Sequence, residues 1–132
     1  MTDPMEKTAP TALIVDDAGT VRMFHRSVVQ AAGWQVIEAE NGIEALERAI
    51  DRRIDLMLVD VNMPVMDGYR FIRAARETPG LAAVPAVMIS TEAQLIDADQ
   101  AFAAGANHYV VKPARPEQLH PILTLLAPED AR

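Results

Sequence analysis

Along most of the chain, short runs of consecutive apolar residues alternate with longer stretches whose apolar positions recur every three or four residues. The first run is Ala12 to Val15. The stretch after it sets Val21, Phe24, Val28 and Ala31 on one predicted helical face, and Gly33 stops it. Gln35 to Ala39 reads as a second strand. Asn41 can cap the next helix, whose apolar stripe is Ile43, Leu46 and Ile50. Leu56 to Asp60 is apolar up to its last residue, the pattern of a central parallel strand covered on both faces. Asn62 to Gly68 forms a turn, and the helix beyond it carries Phe71, Ile72 and Ala75 on one side. Ala86 to Ser90 is a fourth strand, followed by a helix with Leu95, Ala98 and Phe102. Asn107 to Val111 is a fifth, and the last helix presents Leu119, Ile122, Leu123 and Leu126. Strict strand–helix alternation at this spacing predicts one α/β domain, a parallel sheet with helices on both faces and right-handed crossovers. Periodicity does not give the strand order.

Residues 1–10 mix polar residues with two prolines and read as a flexible tail. The predicted domain is 11–127, with a short C-terminal tail at 128–132. The 132 residues suffice for one buried core and not for two ordinary domains. No apolar run is long enough to span a bilayer, and the N-terminus lacks the apolar core of a secretory signal, so the expected location is cytoplasmic. The absence of cysteine excludes disulfides, thiolate chemistry and Cys-ligated metals. A formal charge of −7, with Lys7 and Lys112 the only lysines, disfavours nucleic acid as a partner.

Chemistry gathers at one kind of place, the C-terminal ends of the predicted strands. Asp16 and Asp17 follow the first strand, Asp60 ends the third, Ser90 ends the fourth and Lys112 follows the fifth. Open α/β sheets bind ligands outside the carboxyl ends of their strands, where the winding direction reverses. Clustered carboxylates must take up a proton or share a cation. Oxygen donors without His or Cys select a hard ion, Mg²⁺ or Ca²⁺. An ammonium and a hydroxyl hold phosphoryl oxygens, and a carboxylate can itself become an aspartyl phosphate. Each group alone has a plain structural reading as a cap, a solvated charge or a loop residue. Their coincidence at four strand ends points to metal-assisted phosphoryl transfer onto a side chain.

These residues fall in motifs that resemble the receiver domains of two-component response regulators, above all the CheY-like single-domain chemotaxis members. The match runs from about Ala12 to Leu126. It rests on Val15-Asp16-Asp17, Ala39-Glu40-Asn41-Gly42, Val59-Asp60, Asn62-Met63-Pro64-Val65-Met66-Asp67-Gly68, Ile89-Ser90, Gly105-Ala106 and Tyr109-Val110-Val111-Lys112-Pro113. The resemblance implies a doubly wound, flavodoxin-like (βα)5 sheet in the order 2-1-3-4-5. It implies Asp60 as phosphoacceptor and a Mg²⁺ ion held by Asp17, by Asp16 largely through water, and by the backbone carbonyl of Asn62. Ser90 takes the role of switch hydroxyl, Lys112 pairs with a phosphoryl oxygen, the Lys112–Pro113 bond is cis, and Tyr109 is the aromatic switch. Asn62, Thr91 and Glu92 would tune dephosphorylation. The implied partners are a histidine kinase or histidine phosphotransfer protein, and a target docking on helix 4, strand 5 and helix 5. With no output domain expected after the last helix, a motor switch, a phosphate sink, a relay and a pseudo-receiver scaffold stay open. So does a hydrolase forming an aspartyl phosphate, although Asn62 stands where such enzymes place a second acid.

Three positions depart from the common pattern: Ala114 stands in place of Phe, Thr91 in place of Ala or Gly, and Val61 in place of Trp. His25, His108 and His120 are scattered and read as surface or packing residues, and Arg70, Arg73 and Arg76 as a solvated helix face. No glycine-rich phosphate loop follows the first strand.

Overall fold

The computed structural model describes residues 9–91, 95–112 and 114–128. Its strands are β1 (Thr11–Val15), β2 (Gln35–Ala39), β3 (Leu56–Asp60), β4 (Ala86–Ser90) and β5 (His108–Val111). The helices are α1 (Gly19–Ala31), α2 (Gly42–Arg48), α3 (Gly68–Arg76), α4 (Leu95–Ala104) and α5 (Pro116–Leu126). All neighbouring strands are parallel, in the order β2-β1-β3-β4-β5. Every predicted element exists, and strand limits agree to within a residue.

Strand side chains point alternately to opposite faces, so a sheet covered on both sides needs apolar residues at every position. Leu13, Val15, Met57, Val59 and Met88 enter one core with Phe71, Ile72 and Ala75 of α3. Ala12, Ile14, Leu56, Leu58, Val87 and Ile89 enter the other, with Val28 and Val29 of α1 and Leu119 and Leu123 of α5. Trp34, at the N-terminal end of β2, is buried in this second core, at the opposite end of the sheet from the acidic groups.

Three helical faces differ from their predicted stripes. The buried side of α1 is His25, Val28 and Val29, rotated by about one residue from the predicted set, and Phe24 is exposed. On α2 the small residues Gly42 and Ala45 face inward, which leaves Ile43 and Ile50 exposed and Leu46 partly buried. On α4 Ala101 and Ala104 are buried, while Phe102 is half exposed and the side chain of Leu95 lies outside the described residues.

Arg76 is likewise not a solvated residue. Its guanidinium donates to the carbonyls of Val84 at 2.7 Å, Leu81 at 3.2 Å and Gly105 at 2.8 Å, and to Asn107 Oδ1 at 2.9 Å. One side chain thus ties the end of α3 to the approach to β4 and to the turn before β5. Burial lowers its pKa from the usual value.

The β3–α3 loop runs beside the acidic groups. Gly68 N donates to the Val61 carbonyl at 2.9 Å, and a Cβ on Gly68 would collide with the backbone carbonyl of Asp60. Within the loop, Met66 N donates to the Pro64 carbonyl at 2.7 Å, a three-residue turn that sets Val65 at φ 70°. Positive φ is strained for a β-branched residue. Val65 is 76% exposed and loses little packing when truncated. Val65→Gly is therefore expected to stabilise the fold by about 1 kcal/mol, the strain relieved less the entropy cost of glycine. Thermal melting checks this: an unchanged or lower midpoint would show the turn to be unstrained.

Candidate functional site

At the sheet's switch point, β1 and β3 lie side by side while the chain leaves β1 for β2 on one side and returns to β3 on the other. Both strands end in carboxylates there. Asp16 is held in several ways: its N–H donates to the Ala39 carbonyl at 3.1 Å, and its Oδ1 accepts from Ala18 N at 2.9 Å. Its own carbonyl accepts from Arg22 at 2.6 Å. Arg22 in turn pairs with Glu38 at 3.2 Å, so the turn after β1 is tied to β2.

Asp60 closes β3, opposite Ile89 of β4. Asp16 and Asp60 are 2% and 7% exposed, whereas Asp17 is open to solvent. Ligand oxygens of all three lie within 4.8 Å of one another. The facing cation is Lys112, whose ammonium donates to Asp60 Oδ1 at 3.0 Å and to Asp16 Oδ2 at 3.2 Å. Its backbone N–H donates to the Ser90 carbonyl at 2.6 Å, fixing the end of β5 against the end of β4. Ser90 itself is buried.

The charge balance is unfavourable. Burial raises the Asp60 pKa above the usual carboxylate value, with Asp16 and Asp17 adding to the rise, against the Lys112 hydrogen bond that opposes it. Burial alone would lower Lys112, but its hydrogen bond to Asp60 and the charges of Asp16 and Asp60 outweigh it, so the lysine stays firmly protonated. One ammonium does not neutralise three carboxylates. A compact cluster of carboxylate oxygens open to solvent through Asp17 fits a hard divalent ion that keeps some of its waters. No hydrogen bond to the Asn62 carbonyl occurs among the described residues, which leaves that oxygen available.

The sequence-predicted residues converge. Asp16, Asp17, Asp60 and Lys112 form the cluster, and Ser90 stands on the neighbouring strand end. Asn62 and Thr91 are exposed on the loops after β3 and β4. Tyr109, on β5, packs partly buried against the core shared with α3 and α4. Glu92 and Pro113 lie outside the described residues, as does the geometry of the Lys112–Pro113 bond.

Sequence reasoning missed two residues here. Arg22 holds the Asp16 carbonyl, a role announced only by its helical turn after the Asp pair. His25 is buried on α1 and feels the charges of both Asp16 and Lys112. It offered no motif.

Among the described residues, no helix is long and apolar enough to cross a membrane. Comparison with known proteins agrees with the geometry. The family described as response regulator receiver domain matches residues 12–124. Chemotaxis protein CheY1 of Helicobacter pylori is 36% identical over 110 residues, which cover 81% of this chain and 88% of that protein. The transcriptional regulatory protein ResD of Bacillus subtilis is 34% identical, the match covering 87% of this chain and 47% of ResD. Vibrio cholerae chemotaxis protein CheY4 superposes with a TM-score of 0.85 at 35% identity, covering 91% of this chain and 100% of that one. The receiver domain of a Pseudomonas aeruginosa sensor histidine kinase, solved with a magnesium ion coordinated in its active-site cleft, gives a TM-score of 0.82 at 28% identity, covering 90% and 98% of the two chains. The switch-point carboxylates, their lysine and these likenesses have one common explanation: the chain belongs to the response regulator receiver domain family.

Proposed function

We propose that this receiver domain is a phosphorylation-driven signalling switch, with Asp60 accepting a phosphoryl group from a phosphohistidine on a partner kinase or phosphotransfer protein. One observation carries the reading: a nearly buried carboxylate ends the central strand β3 with an ammonium at 3.0 Å and two further carboxylates beside it. A Mg²⁺ ion in the site would be held by Asp16, Asp17, Asp60 and the Asn62 carbonyl, and would neutralise charge building up on the phosphoryl oxygens.

An Asp60 oxygen attacks phosphorus in line, the bond to the donor nitrogen breaks, and the neutral imidazole leaves once protonated. Lys112 turns one N–H from the carboxylate to a phosphoryl oxygen. The Ser90 hydroxyl binds another, and Tyr109 moves inward behind it. The α4–β5–α5 face then changes its affinity for a protein target by a population shift. The chemotaxis relatives favour a docking output over turnover of exogenous substrates. Asn62, where an aspartyl-phosphate hydrolase would place its second acid, points the same way, and phosphate esters should not be turned over.

Asp60→Asn keeps the side chain's size and removes the nucleophile. It should abolish incorporation of acid-labile phosphate from a cognate kinase or from acetyl phosphate; labelling at the wild-type level would move the acceptor elsewhere.

The same substitution should raise the melting temperature of the metal-free protein. Because the Asp60 pKa is raised in the fold, its ionised form is disfavoured there. That cost is complete above the folded pKa and disappears below the ordinary carboxylate range, so the advantage of Asn should be present at pH 7 and lost near pH 3. Millimolar Mg²⁺ should stabilise the wild type and have much less effect on Asp17→Ala. A melting temperature indifferent to Mg²⁺ would reject the metal assignment.

By family resemblance Asn62 and Glu92 are the pair that tunes attack of water on an aspartyl phosphate, and an amide with a carboxylate can position that water. Decay should therefore lie toward the fast end of the family. Glu92→Lys should slow it, whereas Thr91→Ala should leave it unchanged or hasten it. Phosphoryl lifetimes of hours that ignore Glu92→Lys would instead favour storage or relay.

A further inference from the structure

The described residues include one nearly buried imidazole that the proposed phosphoryl transfer does not use. His25 on α1 is 3% exposed and makes no hydrogen bond among the described residues; its ring contact is with Phe24, centroids 5.8 Å apart. Among the described residues no side-chain nitrogen or oxygen is both fully sealed and unpaired, so the imidazole nitrogens keep a sliver of open surface. That surface opens on a cavity of about 450 Å³ lined by Thr20, Val21, Phe24, His25, Thr91, Lys112 and Ala114. The small Ala114 side chain forms one wall, which leaves room between α1 and the end of β5.

Lys112 lines the same cavity with a matching deficit. Its ammonium has three donors. Two go to Asp60 Oδ1 at 3.0 Å and Asp16 Oδ2 at 3.2 Å, and the third has no partner among the described residues. Burial keeps His25 neutral, against the pull of Asp16 and with the help of Lys112. A neutral imidazole has one acceptor nitrogen. The residues that carry the unused donor and the unused acceptor thus line one cavity, which is large enough for a water.

We propose that His25 is a positioning residue for Lys112, its acceptor nitrogen taking the third ammonium N–H through one water in the cavity that both residues line. The role in turnover rests on the reading of Asp60 as phosphoacceptor; the contact itself does not. Held by two carboxylates alone, the ammonium can pivot on its flexible stem toward Asp16. A third anchor from α1 fixes the donor aimed at Asp60, where the phosphoryl oxygens develop charge. Thr20 and Thr91 supply the cavity's other hydroxyls and can complete the shell of a bridging water.

Two variants and one spectrum test this. Leucine fills the space of His25 without an acceptor, and glutamine keeps one. With acetyl phosphate as donor, His25→Leu should slow Asp60 labelling about fivefold, while His25→Gln should stay within about twofold of wild type. In the unphosphorylated protein, the Lys112 ammonium ¹⁵N–¹H signal should be protected from water exchange in wild type and His25→Gln, and broadened away in His25→Leu. Labelling of His25→Leu at the wild-type rate overturns the proposal. So does a folded His25→Gln as slow as the leucine variant, since the ring would then serve packing alone. If neither variant folds, wild type decides: imidazole ¹⁵N shifts showing a neutral ring with a hydrogen-bonded acceptor support the contact, and a free acceptor overturns it. If wild type takes up no label at Asp60, the phosphoacceptor reading fails while the ammonium spectrum still decides the contact.

Discussion

Three carboxylates packed within 4.8 Å of one another against a single ammonium are the constraint around which the site is arranged. Such a cluster is costly in an otherwise apolar sheet, and burial and like charge both push Asp60 away from its ionised form. It persists because the backbone determines it. Asp16 is pinned by its bond to Ala39 and by Arg22, Asp60 is the last residue of a fully buried strand, and Lys112 is held by the Ser90 carbonyl. A divalent cation at this spot would offset that excess of negative charge.

The architecture explains why the cluster sits where it does. Reversal of winding at β1 opens a crevice between β1 and β3 that no crossover covers, and both strands deliver their last residues to its rim. The loop after β3 must then turn sharply over Asp60. Gly68 permits the close approach, Val65 adopts a positive φ, and Gly42 N donates to the Met66 carbonyl at 3.3 Å, joining this loop to the start of α2. On the far side, Arg76 collects the carbonyls of Leu81, Ala82, Val84 and Gly105, so the elements carrying Ser90 and Lys112 are braced from below.

Most of this was legible in the sequence because two signals were strong. Apolar runs such as Leu56 to Val59 announce strands covered on both faces, and polar residues that interrupt them only at one end mark a single functional edge. The order of the strands came from resemblance, since periodicity carries no information about neighbours. What was illegible were polar side chains working inside. Arg76 shares a helix with the exposed Arg70 and Arg73, and nothing local distinguishes the one whose neighbours are bare carbonyls. His25 breaks an apolar stripe, and with surface and packing both open for it the predicted stripe of α1 ran through Phe24, about one residue from the buried side. Small residues caused the opposite error on α2, where Ala45 is buried because the helix lies close to the sheet, while the larger Ile43 and Ile50 face out.

The account stands on the claim that Asp60 is an electrostatically frustrated carboxylate relieved by cation binding. Its side-chain carboxyl carbon can be followed by NMR through a pH titration, with and without saturating Mg²⁺. The expected result is titration above the ordinary carboxylate range in the metal-free protein, moving down when Mg²⁺ is present. Titration at or below the ordinary value, unaltered by the ion, would contradict it.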